Sequence, residues 1–186
     1  MSGHSHWAGI KHKKEAKDQK RGVVFSKLLN AISIAAKSEA NPDFNPRLRT
    51  TVQKAEEANV ASDKINHAIK RAREKSNSLT ELFFEAYGPG GTAILIAVIT
   101  DSRNRAVAEI KKILSDFGGK WAESGSVLWA FSQTANRYEP DTDKRGSWEA
   151  KFPLEINGVD KTKLAELVGA LEEHDDVQRV YTNAGK

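Results

Sequence analysis

The sequence predicts an α+β protein: a basic N-terminal three-helix bundle followed by a ferredoxin-like antiparallel sheet carrying two helices. Two observations predict it. From about Glu15 to Ala72 apolar residues recur at three- and four-residue steps, the mark of amphipathic helices. From position 80 onward, aromatic and β-branched segments alternate with helical ones in the order β-β-α-β-β-α-β, which contains a split βαββαβ unit. A chain of 186 residues suffices for two small domains, placed at 1–75 and 80–186.

The elements follow in order. Met1–Lys14 has no helical or strand period and is rich in Gly, Ser, His and Lys, so it reads as an arm, mobile until it meets a partner. From about Glu15 to Glu39, Val24, Phe25, Leu28, Leu29, Ile32, Ala35 and Ala36 form one helical face, which the segment from Asn41 to Asn45 interrupts. Asn45 can cap a second helix with Pro46 in its first turn, running to about Ala58 with Leu48, Val52 and Ala55 inward. A third begins at Ser62 or Asp63 and buries Ile65, Ala68, Ile69 and Ala72. Ser76–Thr80 reads as a linker.

Strands are expected at Phe83–Tyr87 and Thr92–Thr100, joined through Gly88-Pro89-Gly90-Gly91, a hairpin turn. Asn104–Phe117 reads as a helix stopped by Gly118-Gly119. Val127–Phe131 and Phe152–Ile156 read as strands, with Ala135–Trp148 a polar loop between them. Asp160 is expected to cap a helix through about Glu173, and Val177–Thr182 closes the chain as a strand.

Composition excludes several classes. There is no cysteine, so disulfides, zinc–thiolate sites and a cysteine nucleophile are all ruled out. The longest apolar run, Ala93–Ile99, falls well short of the roughly 20 residues a membrane helix needs. The N-terminus lacks the pattern of a secretory signal, and the chain reads as untargeted and cytoplasmic. Charge is uneven along the chain. Residues 1–75 carry 16 Lys and Arg against 8 Asp and Glu, while residues 76–186 carry 13 against 17. A basic module joined to an acidic one points to a polyanion partner for the first.

The candidate nucleic-acid-binding residues are Lys11, Lys13, Lys14, Lys17, Lys20, Arg21 and Lys27, with His4, Ser5, Trp7 and His12 ahead of or among them and Arg47 and Arg49 beyond. Closely spaced cations neutralise successive phosphates and release counterions. Lys13, Lys17, Lys20 and Lys27 share roughly one helical stripe, and Trp7 offers a face on which a base can stack. A second basic group, Arg47, Arg49, Lys70, Arg71 and Arg73, extends the surface or is simply helix exterior.

Other candidates carry less. His4, His6 and His12 lie close together, yet no spacing resembles a structural or catalytic metal site, so no metal and no cofactor is expected. The Gly88–Gly91 segment lacks a following Gly-Lys-Ser/Thr and is not a phosphate loop. Capping accounts for Asp101, Asn104 and Arg105. His67, beside the inward stripe of the third helix, is expected to be partly buried or bridging, and His174 to lie at the surface. No nucleophile elbow, paired catalytic carboxylates or cofactor fingerprint appears, which argues against an enzyme.

Several segments stand out together: the opening from Gly3 to Lys14, Asp43-Phe44-Asn45-Pro46-Arg47-Leu48-Arg49, Tyr87-Gly88-Pro89-Gly90-Gly91 and Thr100-Asp101-Ser102-Arg103-Asn104-Arg105. Gly118-Gly119 followed by Gly125-Ser126-Val127, and the stretch from Leu171 to Val177, join them. In that order they resemble the YebC/PmpR family, bacterial relatives of the mitochondrial translational activator of cytochrome oxidase. The resemblance implies a helical N-terminal domain, α+β domains after it, and a non-enzymatic role in gene expression. Two partners are implied: the ribosome or RNA, for a factor helping translation through difficult, proline-rich stretches, and DNA, for a transcriptional regulator. Family members usually carry a further α+β domain where this chain has only 132–151. No membrane partner is expected and a monomer is favoured.

Overall fold

The computed structural model describes residues 4–74, 78–134 and 147–185, with side chains of the N-terminal stretch described from Lys20 onward. Its helical module comprises α1 (His4–Ala35), α2 (Pro46–Glu57) and α3 (Ser62–Arg71). The first correction concerns α1, which starts at His4 and so includes most of the stretch expected to lack regular structure. An apolar period reports only a buried face. Ala8, Lys11, Lys13, Lys14, Glu15 and Ala16 have high intrinsic helix propensity without one.

The bundle core joins Ile32, Ala35 and Ala36 of the first helix region to Leu48, Ala55, Val60, Ile65 and Ala68. Ser33 Oγ donates to the Ala68 carbonyl at 2.9 Å, which satisfies a buried hydroxyl across α1 and α3. The α1–α2 corner is fixed by Asn45. Its Oδ1 accepts from the Leu48 N–H at 3.0 Å as the expected cap, and its Nδ2 donates to the carbonyls of Ala35 at 2.8 Å and Glu39 at 2.6 Å.

The second module contains the strands β1 (Thr80–Tyr87), β2 (Ala93–Thr100), β3 (Lys120–Ala122) and β6 (Val177–Thr182). They form a four-stranded antiparallel sheet in the order β3-β1-β2-β6, with α4 (Arg103–Asp116) and α5 (Gly158–Glu172) on one face. The antiparallel sheet with two helices on one face is as predicted, but its strands and helices follow one another as β-β-α-β-α-β and not as the predicted βαββαβ unit. β1 pairs with β2 along its whole length, from Thr80 opposite Thr100 to Tyr87 opposite Ala93. Strand pairing therefore claims Thr80, and Leu79 is buried, so the predicted linker ends earlier than expected. Gly90 and Gly91 take positive φ angles of 68° and 77° in the turn, a conformation that favours glycine.

Phe84, Ala86, Ile94, Ile96 and Val98 pack against Ala106, Ile110 and Leu114 of α4 and Leu164, Leu167 and Leu171 of α5. Asn157, not Asp160, caps α5: its Oδ1 accepts from the Asp160 N–H at 2.8 Å.

Two predicted strands do not enter this sheet. Leu128–Ala130 is a 3-10 turn, and the edge beside β1 is taken by β3, too short to show a period in sequence. Phe152–Ile156 is no strand: Pro153 lacks an N–H, and only Leu154 forms a parallel bridge, to Ala184. Instead β4 (Phe131–Thr134) and β5 (Ser147–Ala150) form a separate two-stranded ribbon, with Phe131 opposite Ala150 and Gln133 opposite Trp148. Part of the predicted polar loop is thus a strand, and its remaining residues, 135–146, lie outside the described residues. Phe131 and Trp148 cover Ala93, Leu95 and Tyr181 on the sheet face that α4 and α5 leave open.

Candidate nucleic-acid interface

His4, Ser5, Trp7, Lys11, His12, Lys13, Lys14 and Lys17 lie on the N-terminal half of α1, whose backbone is helical; their side chains lie outside the described residues. A helix rises 1.5 Å per residue, so His4 and Lys20 are about 24 Å apart along the axis.

The described candidate cations divide into two groups. Lys20 is exposed and pairs with Glu173 at 3.1 Å, and the Arg21 guanidinium lies over the Phe25 ring at 5.1 Å. Surface pairs of this kind contribute little and leave the charge available to a polyanion. Lys27, Arg47 and Arg49 instead make structural ties. Lys27 Nζ donates to the Glu172 carbonyl at the C-terminus of α5, and burial lowers the pKa of its ammonium, with Glu172 and Asp175 opposing the shift. Arg47 bonds Glu81 at 2.7 Å, joining α2 to β1. Arg49 donates to the carbonyls of Pro42 at 3.1 Å and Asp43 at 2.8 Å, fastening the turn that leads into α2. Sequence spacing reports where charge lies along the chain, not which cations tertiary contacts engage.

Lys70 of α3 and Arg73 just after it line a shallow depression with Ala40, Asn41, Pro42 and Ile69. His67 is exposed, contrary to expectation, because the buried stripe runs through Ile65, Ala68 and Ala72 and leaves it on the rim.

A second constellation also departs from the sequence reading. Asp101, Asn104 and Arg105 were expected to serve as caps, but the N-cap position of α4 is Ser102, with no side-chain cap bond. Arg105 contacts Asp101 at 2.9 Å, the buried Asp176 at 3.0 Å and Glu109 at 3.8 Å. The Asp101 hydrogen bond is the largest influence on its pKa, which is raised. His174 is largely enclosed rather than surface-lying. Its Nδ1 accepts from the Asp176 N–H at 3.1 Å, which assigns the proton to Nε2, 2.9 Å from Glu109. Glu109, His174 and Asp176 bring their ligand atoms within 4.8 Å of one another. Arg105 pairs with both carboxylates, and both His174 nitrogens are engaged, so the group reads as an ion network tying α4 to the α5–β6 turn.

Sequence reasoning missed Glu85. This buried carboxylate accepts from the backbone N–H groups of Gly125 at 2.6 Å, Val127 at 2.6 Å and Leu128 at 2.9 Å. It holds the segment after β3 as a turn. The available signal was an acid set between Phe84 and Ala86 in a predicted strand.

Two family models match the chain. One, described as the TACO1/YebC protein N-terminal domain, covers residues 5–75; the other, described as the TACO1/YebC second and third domain, covers residues 79–144. A Hahella chejuensis protein named probable transcriptional regulatory protein is 44% identical over 238 positions, covering 99% of this chain and 95% of the relative. One of the same name from Solibacter usitatus is 34% identical, covering 98% and 95%. A third, from Petrotoga mobilis, is 50% identical over 136 residues, and the chain spans 54% of its length. The alignment of 238 positions exceeds the chain's 186 residues, so that relative carries residues this chain lacks. The crystal structure of a conserved hypothetical protein from Aquifex aeolicus superposes with a TM-score of 0.81 at 29% identity, covering 97% of each chain.

Proposed function

The chain belongs to the TACO1/YebC family, and on that premise we propose that it is a non-enzymatic, nucleic-acid-binding regulator of gene expression that acts in the cytoplasm on RNA at the ribosome. The observation that carries the reading is the charge asymmetry mounted on α1: a basic helical module in front of an acidic sheet module. Each phosphate neutralised by such a helix releases counterions, so affinity follows the number of lysines engaged and falls steeply with salt. The acidic module repels the same backbone and orients the protein, basic helix first. In the finer form of this reading the helix docks on ribosomal RNA and assists translation through proline-rich stretches. Segment 132–151 stands where relatives carry their additional domain.

A second reading is favoured by the name shared by the relatives, probable transcriptional regulatory protein. On it, α3 and the turn that follows it would read duplex DNA through Asn66, Lys70 and Arg73, all exposed. Sedimentation with ribosomes at physiological salt separates the two. The ribosome reading expects the wild type to co-sediment and a variant with Lys11, Lys13, Lys14 and Lys17 changed to Ala to stay in the supernatant. A wild type that ignores ribosomes but binds one duplex sequence against excess competitor DNA would replace it with the transcriptional reading.

A further inference from the structure

The helical module and the open face of the sheet enclose a groove of about 340 Å³. Arg47 and Lys54 of α2 stand on one side, and Phe83, Gln178, Arg179 and Tyr181 on the other. The sheet side is shaped by a β-bulge. Ala97 pairs with Arg179 and Val98 with Val177, so Gln178 is left out of the register. In a regular strand neighbouring side chains face opposite ways. Here Val177 and Val180 pack into the core beneath α4 and α5, while Gln178 and Arg179, consecutive in sequence, both line the groove. A bulge is the device by which a strand re-aims a side chain in this way.

Two further observations point to a ligand. Gln178 Nε2 is buried and has no hydrogen-bond partner, an unfavourable state that an acceptor in the groove would relieve. Phe83 is 44% exposed although it lies mid-strand, and its ring is held edge-on against Trp148, with centroids 5.8 Å apart and planes at 74°. The described lining carries Lys27, Arg47, Lys54 and Arg179 against a single acid, Glu81, so its balance of charge is positive. The groove therefore combines cations, exposed aromatic surface and an unused amide donor, the components with which proteins hold unpaired nucleotides.

We propose that this groove binds a segment of single-stranded nucleic acid, with phosphates against Lys54 and Arg179, a base against Phe83 or Tyr181, and Gln178 donating to a base or sugar oxygen. Its volume, at the small end of ligand sites, suits one strand and not a duplex. The proposal rests on the nucleic-acid reading above and adds to it a place and a strandedness.

The test titrates a fluorescein-labelled single-stranded RNA of about 12 nucleotides, a length within the usual site size, and its DNA counterpart. Four proteins are compared: wild type, Lys54→Gln with Arg179→Gln, Gln178→Ala, and a charge-matched control, Lys161→Gln with Lys163→Gln, on the opposite helical face. Circular dichroism and melting establish that each is folded. The groove pair is expected to bind about tenfold more weakly and to lose about 1.4 from the magnitude of the salt slope, 0.7 for each single-strand phosphate contact. The control pair should stay within about twofold of wild type, since no local contact is removed. Gln178→Ala is expected to melt no lower than wild type yet bind more weakly, a combination that a merely structural glutamine does not produce. Equal losses in the groove and control pairs would overturn the groove while leaving nucleic-acid binding intact. A wild type that binds neither oligonucleotide, or an acidic peptide whose binding alone depends on the groove pair, would overturn the proposal, the former together with the function on which it rests.

Discussion

Replacing Glu85 by Gln changes the shape of one buried side chain hardly at all and removes the charge that organises the turn after β3. In the native protein one carboxylate oxygen accepts from Gly125 N–H, and the other from both Val127 and Leu128 N–H. Hydrogen bonds to a charged acceptor contribute about 1.5–3 kcal/mol each, roughly twice the neutral value. A glutamine keeps a single acceptor oxygen. If that oxygen retains Val127 and Leu128, its NH2 group meets the Gly125 N–H donor to donor. Two bonds lose charge assistance and the third becomes repulsive, so we expect a loss of about 2–4 kcal/mol. Urea denaturation followed by tryptophan fluorescence reads this as a midpoint lowered by about 1–2 M at ordinary slopes. Hydrogen exchange adds the location: amides of Gly125, Val127 and Leu128 should exchange faster, those of the bundle should not. A stability within about 0.5 kcal/mol of wild type and unchanged protection at the three amides would refute the account of this turn.

Other outcomes follow from the same contacts. Asn45→Ala removes a helix cap and two donations to carbonyls, and should cost about 2 kcal/mol in urea unfolding; Asn45→Asp keeps the cap acceptor but turns a carboxylate oxygen toward the two carbonyls, and should not recover that loss. Arg105→Gln leaves Asp176 buried with Thr100 Oγ1 as a side-chain partner at 2.9 Å; a loss of about 1–3 kcal/mol is expected, and double-mutant cycles with Asp176→Asn should give a coupling of at least about 0.5 kcal/mol. Lys27 carries a pH dependence. Burial lowers its pKa in the folded protein from the ordinary 10.5. The unfolded chain then holds the proton to higher pH than the folded one, so stability from this group rises with pH between the lowered pKa and 10.5, and the burial penalty is fully present below that window. Compared with Lys27→Met, wild type should therefore gain relative stability as pH climbs through that window; a difference that stays flat from about pH 8 to the upper limit would count against it.

Some of this protein is legible from its residues alone because the responsible forces are local. The bundle helices declare themselves through Leu48, Val52, Ala55, Ile65 and Ala68, since a 3.6-residue period is what burying one helix face requires. Asn45 with Pro46 announces a helix start, and Gly90 with Gly91 a turn needing positive φ. The uneven charge likewise needs no coordinates.

Tertiary structure decided the rest, because the relevant partners lie far apart in the chain. A three-residue edge strand carries too few residues to show a period, and β3 exists because β1 offers it unpaired backbone. Val127–Ala130 has the composition of a strand, yet Glu85, some 40 positions earlier, bends its start into a turn. Arg47 and Lys27 look like their neighbours in sequence, but Glu81 and the Glu172 carbonyl engage them in joining the two modules. The bulge at Gln178 depends on which residues of β2 and β6 meet, a register fixed only once both strands pack on α4 and α5. Propensity and periodicity act over one or two turns of chain, whereas these choices were made by residues that come together only when the core closes.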